Sequence, residues 1–263
     1  MSANLLDFVP IWAHLLIVSA LIGFPLVVGR YFGRQHYERS KVSESGPSGI
    51  LVGSILSLLA FLLAFTFGMA ASRFEDRRVA VLEEANSIGT TYLRADLLAE
   101  PLRSNARHLL NQYADIRASL ASPGWTYEGL GELIGRSEEI QSELWSVAVS
   151  ASEAAPSAIT GLFVQAINEM IDVDAKRRFL GTRSAIPSAI WACLYFVAAI
   201  GLASAGFQSA GRKAQNKFLL FAVVLTFALV LTLVTDLDHP VRGILKTDQS
   251  PMVDLAATLS EVQ

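Results

Sequence analysis

"SLLAFLLAFTFGMAASRFEDRRVAVLEEANSIGTTYLR", Ser57 to Arg94, decides the fold. Its first half is apolar enough to lie in a bilayer, and its second half is charged and amphipathic. No helix breaker separates the two. The stretch therefore predicts one helix that leaves a membrane span without stopping and continues into an extramembrane bundle. Composition agrees: the 263-residue chain is 52% hydrophobic and only 17% charged, where soluble domains carry about a quarter charged residues.

A bilayer core takes about 20 mostly apolar helical residues. Four stretches reach that length, Phe8–Val28, Ile50–Ala71, Ile186–Ala205 and Phe218–Thr235, with no charge in the middle of any. Trp12 and Tyr31 sit near the ends of the first, where amphipathic rings favour the interface. That run lacks a basic n-region and is too long for a signal peptide, so a retained span is expected. Pro25 with Gly23 is expected to kink it.

Residues 72–185 read as helices. Ala85, Ile88 and Tyr92, then Leu102, Ala106, Leu109, Tyr113, Ile116 and Leu120, recur at three- and four-residue steps. "AEP" (Ala99–Pro101) separates two helices, and "ASPGW" (Ala121–Trp125) is the clearest loop. A further helix is expected to begin at "APSAI", with Pro156 in its first turn. No segment alternates with a strand period. The expected fold class is all-α: an integral membrane protein of four transmembrane helices, with an extramembrane helical bundle between the second and third spans. The expected divisions are a first hairpin (1–71), the bundle (72–185), a second hairpin (186–236) and a C-terminal tail (237–263).

Several function classes are excluded or disfavoured. A net charge of −3 argues against nucleic-acid binding. A single cysteine, Cys193, excludes an intramolecular disulfide and a thiolate metal cluster. No GxSxG, phosphate-cradling loop or HExxH appears, so neither enzymatic activity, a catalytic residue nor a cofactor is expected. His14 near Trp12 is an ionisable residue in a span, placed for an interfacial hydrogen bond. Asp236 and Asp238, and separately Glu169, Asp172 and Asp174, are weak cation candidates. Each set has too few ligands alone for a hard cation, and helix-end or solvated roles are favoured.

Two faces of the second span carry the functional expectations. Gly53, Ser57, Ala60, Ala64, Gly68 and Ala71 form a stripe of small residues, the means by which membrane helices approach closely. Packing against another span of the same chain is its plainest reading. Ser57, Phe61 and Phe65 lie at steps of four. Such phenylalanines ordinarily face lipid. If several copies of the helix surround an axis, they form instead a constriction that gates by dewetting, with Arg73, Arg77 and Arg78 as an anion-attracting mouth. Glu83 and Glu84 pair with a neighbour's arginines or, more commonly, are solvated.

"SLLAFLLAFTFGMAASRFEDRR" resembles the second membrane helix of bestrophins, which are pentameric anion channels. Phe65, Phe61 and Ser57 match the neck positions, and Arg73-Phe74 the arginine–aromatic pair. Glu75 replaces a second aromatic, Ser57 a bulky aliphatic, and Ala71-Ser72 a more polar stretch. A closer resemblance is to the bestrophin-like family of bacterial membrane proteins. Its most recognisable motif is matched by "EEANSIGTTYLRADLL", with Glu84, Asn86, Gly89, Tyr92 and Arg94, and its ending by "LDHPVRGILK" (Leu237–Lys246). The resemblance implies a multi-pass protein of the bacterial inner membrane, self-associating as a homo-oligomer, a pentamer by analogy, and conducting inorganic anions through the lipid bilayer. It also implies a cytoplasmic bundle, whereas the basic residues of the two short hairpin loops lean slightly towards the reverse. The rival reading is a non-conducting membrane sensor or scaffold that uses the bundle.

Overall fold

The computed structural model describes residues 10–40, 48–120, 127–182, 185–211, 217–239 and 244–261. Among them are eight helices and no strand: α1 (Ile11–Ser40), α2 (Ser48–Ala95), α3 (Leu102–Ser119), α4 (Tyr127–Ala154), α5 (Ala158–Thr182), α6 (Ser188–Ala210), α7 (Lys217–Asp238) and α8 (Ser250–Glu261). Four of them, α1, α2, α6 and α7, are long and apolar enough to cross a membrane. The expected all-α class holds. The chain divides into two compact units, 1–74 with 185–246, and 75–184 with 247–263. The 48-residue α2 contributes to both and, at 1.5 Å per residue, is about 72 Å long.

The first unit holds the spans. Val18, Ile22 and Leu26 of α1 pack with Leu59 and Leu63 of α2, with Leu194, Ala198 and Leu202 of α6, and with Ala228 and Leu231 of α7. Only 17–28% of each apolar window is buried, which suits helices whose outer faces are solvated by lipid rather than water. The tightest contact joins α1 to α6. A Cβ added at Gly206 would lie 2.0 Å from the Leu26 carbonyl oxygen, and one at Gly29 2.0 Å from that of Ala203. Only glycine admits backbones this close. α1 passes through Pro25 as one helix and extends to Ser40.

The second unit is a helical bundle in which Ile88, Leu110, Tyr113, Ile140, Leu144, Phe163, Ile167 and Met170 are fully buried. Helix starts carry their own acceptors. At α3 the Glu100 carboxylate accepts from the Ser104 backbone N–H (3.3 Å) and hydroxyl (2.5 Å), holding the Glu100 carboxyl below its usual range. An anion there also suits the positive end of the helix.

One expectation needs correction. α5 begins at Ala158, not at Pro156. Ser157 caps it, accepting from the Thr160 N–H (3.2 Å) while Thr160 Oγ1 accepts from the Ser157 N–H (3.1 Å), a reciprocal capping box. The proline thus precedes the cap. The C-terminal tail contains α8, which places Met252 and Leu259 in the bundle core. The "ASPGW" loop lies outside the described residues.

Candidate functional site

Within the spans, α2 has two unlike faces. Leu59, Leu63, Thr66 and Ala70 are buried at steps of three and four. The opposite face, Gly53, Ser57, Ala60, Phe61, Ala64, Phe65 and Gly68, is exposed on the single chain. Phe61 is 67% exposed and Phe65 66%. Nothing lies within 4 Å of a Cβ added at Gly53 or Gly68. Intramolecular packing of the small-residue stripe is therefore corrected: the close approach within this chain is made by Gly29, Gly33 and Gly206 instead. Among the described residues the stripe of α2 is left exposed, because α1, α6 and α7 pack on the leucine face.

The basic residues that follow are engaged. Arg73 pairs with Asp238 at 3.6 Å, Arg77 is buried, and Arg78 pairs with Glu75 at 2.9 Å. Arg77 thus presents no exposed charge, contrary to its assignment to an anion-attracting mouth. Asp238 also accepts from the Ile186 N–H at 3.1 Å, and Asp236 from the Ile244 and Leu245 N–H groups at 3.0 and 3.1 Å. Both carboxylates are spent on backbone amides around the ends of α6 and α7. No group of three or more metal-ligating side chains occurs among the described residues.

The second unit contains an ion cluster that the sequence reading missed. Glu84 of α2 is fully buried and pairs with Arg117 of α3 (2.5 Å) and with Arg177 of α5. Arg117 also pairs with Asp174 of α5 (3.0 Å), which pairs with Arg178 (3.1 Å). Arg178 reaches Glu138 of α4, and Arg177 donates to Gln249 (2.6 Å) just before α8. Gln141 donates to both Asp174 (3.0 Å) and the Tyr113 hydroxyl (2.9 Å). Three guanidiniums face three carboxylates, so the cluster is neutral as a whole. Burial pushes the Tyr113 phenol well above its ordinary range. Burial works to lower the Arg117 pKa, but Glu84, Tyr113 and Asp174 hold it above its ordinary value.

Glu84 and Asp174 were expected on solvated faces. The reason is legible in hindsight: Arg117 interrupts the apolar stripe of Tyr113, Ile116 and Leu120, and a lone charge on a core face requires a buried counter-charge. Three of the remaining motif residues also pack within the bundle. The Tyr92 hydroxyl accepts from Arg107 (2.8 and 2.5 Å), and Arg94 donates to the Leu162 carbonyl (2.9 Å). Gly89 faces Leu255 of α8, while Asn86 is exposed.

A family model described as the bestrophin-like domain matches residues 15–252, nearly the whole chain. The chain belongs to the bestrophin-like family. Its fold is that of solved bestrophin homologues. One single-substitution variant of a bacterial bestrophin homologue from Klebsiella pneumoniae superimposes with a TM-score of 0.66 at 15% identity, covering 94% of this chain and 95% of that one. Another structure of that homologue gives 0.63 at 14% identity, with the same coverage. A further membrane protein gives 0.61 at 15% identity, covering 95% and 96%. Such identities establish the fold alone. No curated protein matches the chain. The bestrophin-like assignment and the four apolar helices together make this a multi-pass membrane protein.

Proposed function

We propose that the chain is one subunit of a homo-oligomeric anion channel in which α2 of each copy faces a common axis. The observation that carries this reading is the exposed face of α2. There, Phe61 and Phe65 lie one turn apart beside Ala60, Ala64 and Gly68, and these small residues are left exposed among the described residues. Small residues let copies of a helix approach each other. Rings of phenylalanine then narrow the pore enough to expel water when closed. Ser57, on the same face, supplies a hydroxyl at the end of the neck. Arg73 and Arg78 keep part of their surface exposed, each beside a carboxylate, so the positive field that they supply is weaker than the sequence implies.

Purified protein in planar bilayers is expected to carry anion-selective currents. Phe61→Ala and Phe65→Ala are each expected to raise conductance, and unchanged currents in both variants remove the neck. The sensor or scaffold alternative is separated by cysteine scanning along Ser57–Phe65, after exposed Cys193 has been replaced by serine. Aqueous thiol reagents reach these positions in a pore but not on a lipid-facing or packed helix. Reporter fusions to the bundle test its cytoplasmic placement.

A further inference from the structure

The end of α2 and the first three turns of α3 line an open polar cleft of about 290 Å³, bordered by Tyr92, Glu100, Arg103, Arg107, His108 and Asn111, with Ser104 at its side. It shares no residue with the neck. Much of its polar chemistry is committed internally. Arg107 donates through Nε and one amino group to the Tyr92 hydroxyl, pairs with Asp96 (3.1 Å) and lies over the Tyr92 ring. Glu100 is held by Ser104.

Two groups stand apart. Arg103 spends only its Nε within the chain, on the Leu98 carbonyl (2.9 Å) and loosely on Glu100 (3.9 Å). Its planar pair of terminal amino groups has no acceptor among the described residues. Asn111 is 8% exposed, and both its amide nitrogen and its amide oxygen are buried without a hydrogen bond. Native proteins keep few such groups, because an unpaired buried amide loses its water and gains nothing in return.

Two unspent chemistries in one small cleft define a ligand. A guanidinium edge matches a carboxylate, accepting two parallel hydrogen bonds. A carboxamide that both donates and accepts is matched by a group that does the same, a hydroxyl or another amide. The volume suits a small metabolite. We propose that this cleft binds a small carboxylate metabolite bearing a hydroxyl or amide group, its carboxylate on Arg103 and its second group on the Asn111 amide once that side chain turns into the cleft.

Calorimetric titration of the full-length, detergent-solubilised protein with L-malate tests this, with succinate as the analogue lacking the hydroxyl and chloride as an inorganic control. Saturable malate binding is expected, with succinate weaker and chloride silent. Arg103→Gln is expected to weaken malate about tenfold or more, the effect of losing a charge-assisted contact. Asn111→Leu is expected to erase the preference for malate over succinate. Replacing an unpaired amide by an apolar side chain of similar size should leave the thermal midpoint unchanged or raised, so the loss is distinguishable from unfolding. Failure of malate to bind, or equal binding by the parent and both variants, overturns the proposal. So does succinate binding as tightly as malate.

Discussion

Glu84 has no exposed surface and sits between Arg117 and Arg177. Removing one member of a buried pair strands the other, which costs about 3–5 kcal/mol, whereas replacing both with apolar groups is often neutral. Glu84→Ala is therefore expected to lower the thermal midpoint sharply, because Arg117 is 2% exposed and cannot recover water. The double variant Glu84→Leu, Arg117→Met should regain part of that loss, with Asp174 and Arg177 limiting the recovery through their remaining charges. A double-mutant cycle in detergent measures the coupling; strictly additive midpoints would show that the two side chains act independently. The cluster also explains why "EEANSIGTTYLR" was legible as a family signature but not as a structure. Periodicity marked Ala85, Ile88 and Tyr92 as core residues. It gave no sign that Glu84 joins them, since the partner, Arg117, lies on a different helix.

At the scale of elements, α1 and α6 meet through glycines whose neighbours are backbone atoms. A Cβ at Gly206 would stand 2.0 Å from the Leu26 oxygen and 3.1 Å from the Arg30 nitrogen, so no side-chain rotation relieves the clash. Gly206→Val is expected to exceed the about 1–3 kcal/mol typical of overpacking and to lower the yield of folded protein on size exclusion. The start of α3 carries a pH dependence. Its Glu100 carboxyl is depressed below 4.5, chiefly by the Ser104 hydroxyl. Its contribution is complete above the unfolded value and lost as pH falls through the lower folded one. Protection of the Ser104 amide against hydrogen exchange should therefore decline on the acid side, and the decline should be absent in Glu100→Gln. The four spans were readable because a bilayer demands apolar length. α8 was not, because "SPMVDLAATLSE" is short and only two of its side chains, Met252 and Leu259, enter the core.

For the whole molecule, the decisive surface is the one the chain leaves uncovered. The small-residue stripe on the second span is expected to be a surface for close approach, but sequence has no means of naming the other side of a contact. Gly29, Gly33 and Gly206 take that role within the chain, which leaves Ala64 and Gly68 of α2 either to lipid or to another copy. These alternatives predict opposite responses to bulk. Lipid tails are as apolar as leucine, and Gly68 has nothing within 4 Å of an added Cβ. On a lipid-facing helix, Gly68→Leu should therefore be tolerated or slightly stabilising, since glycine within a helix costs about 0.5–1 kcal/mol relative to alanine. On a helix packed around an axis, the same leucine intrudes on the neighbouring copy. The homo-oligomer reading thus predicts that Gly68→Leu and Ala64→Leu keep the folded chain's helicity and thermal midpoint while lowering the native mass measured in detergent. Their currents should fall along with the assembly. An unchanged native mass in both variants would place the stripe against lipid and take the phenylalanines beside it out of any pore.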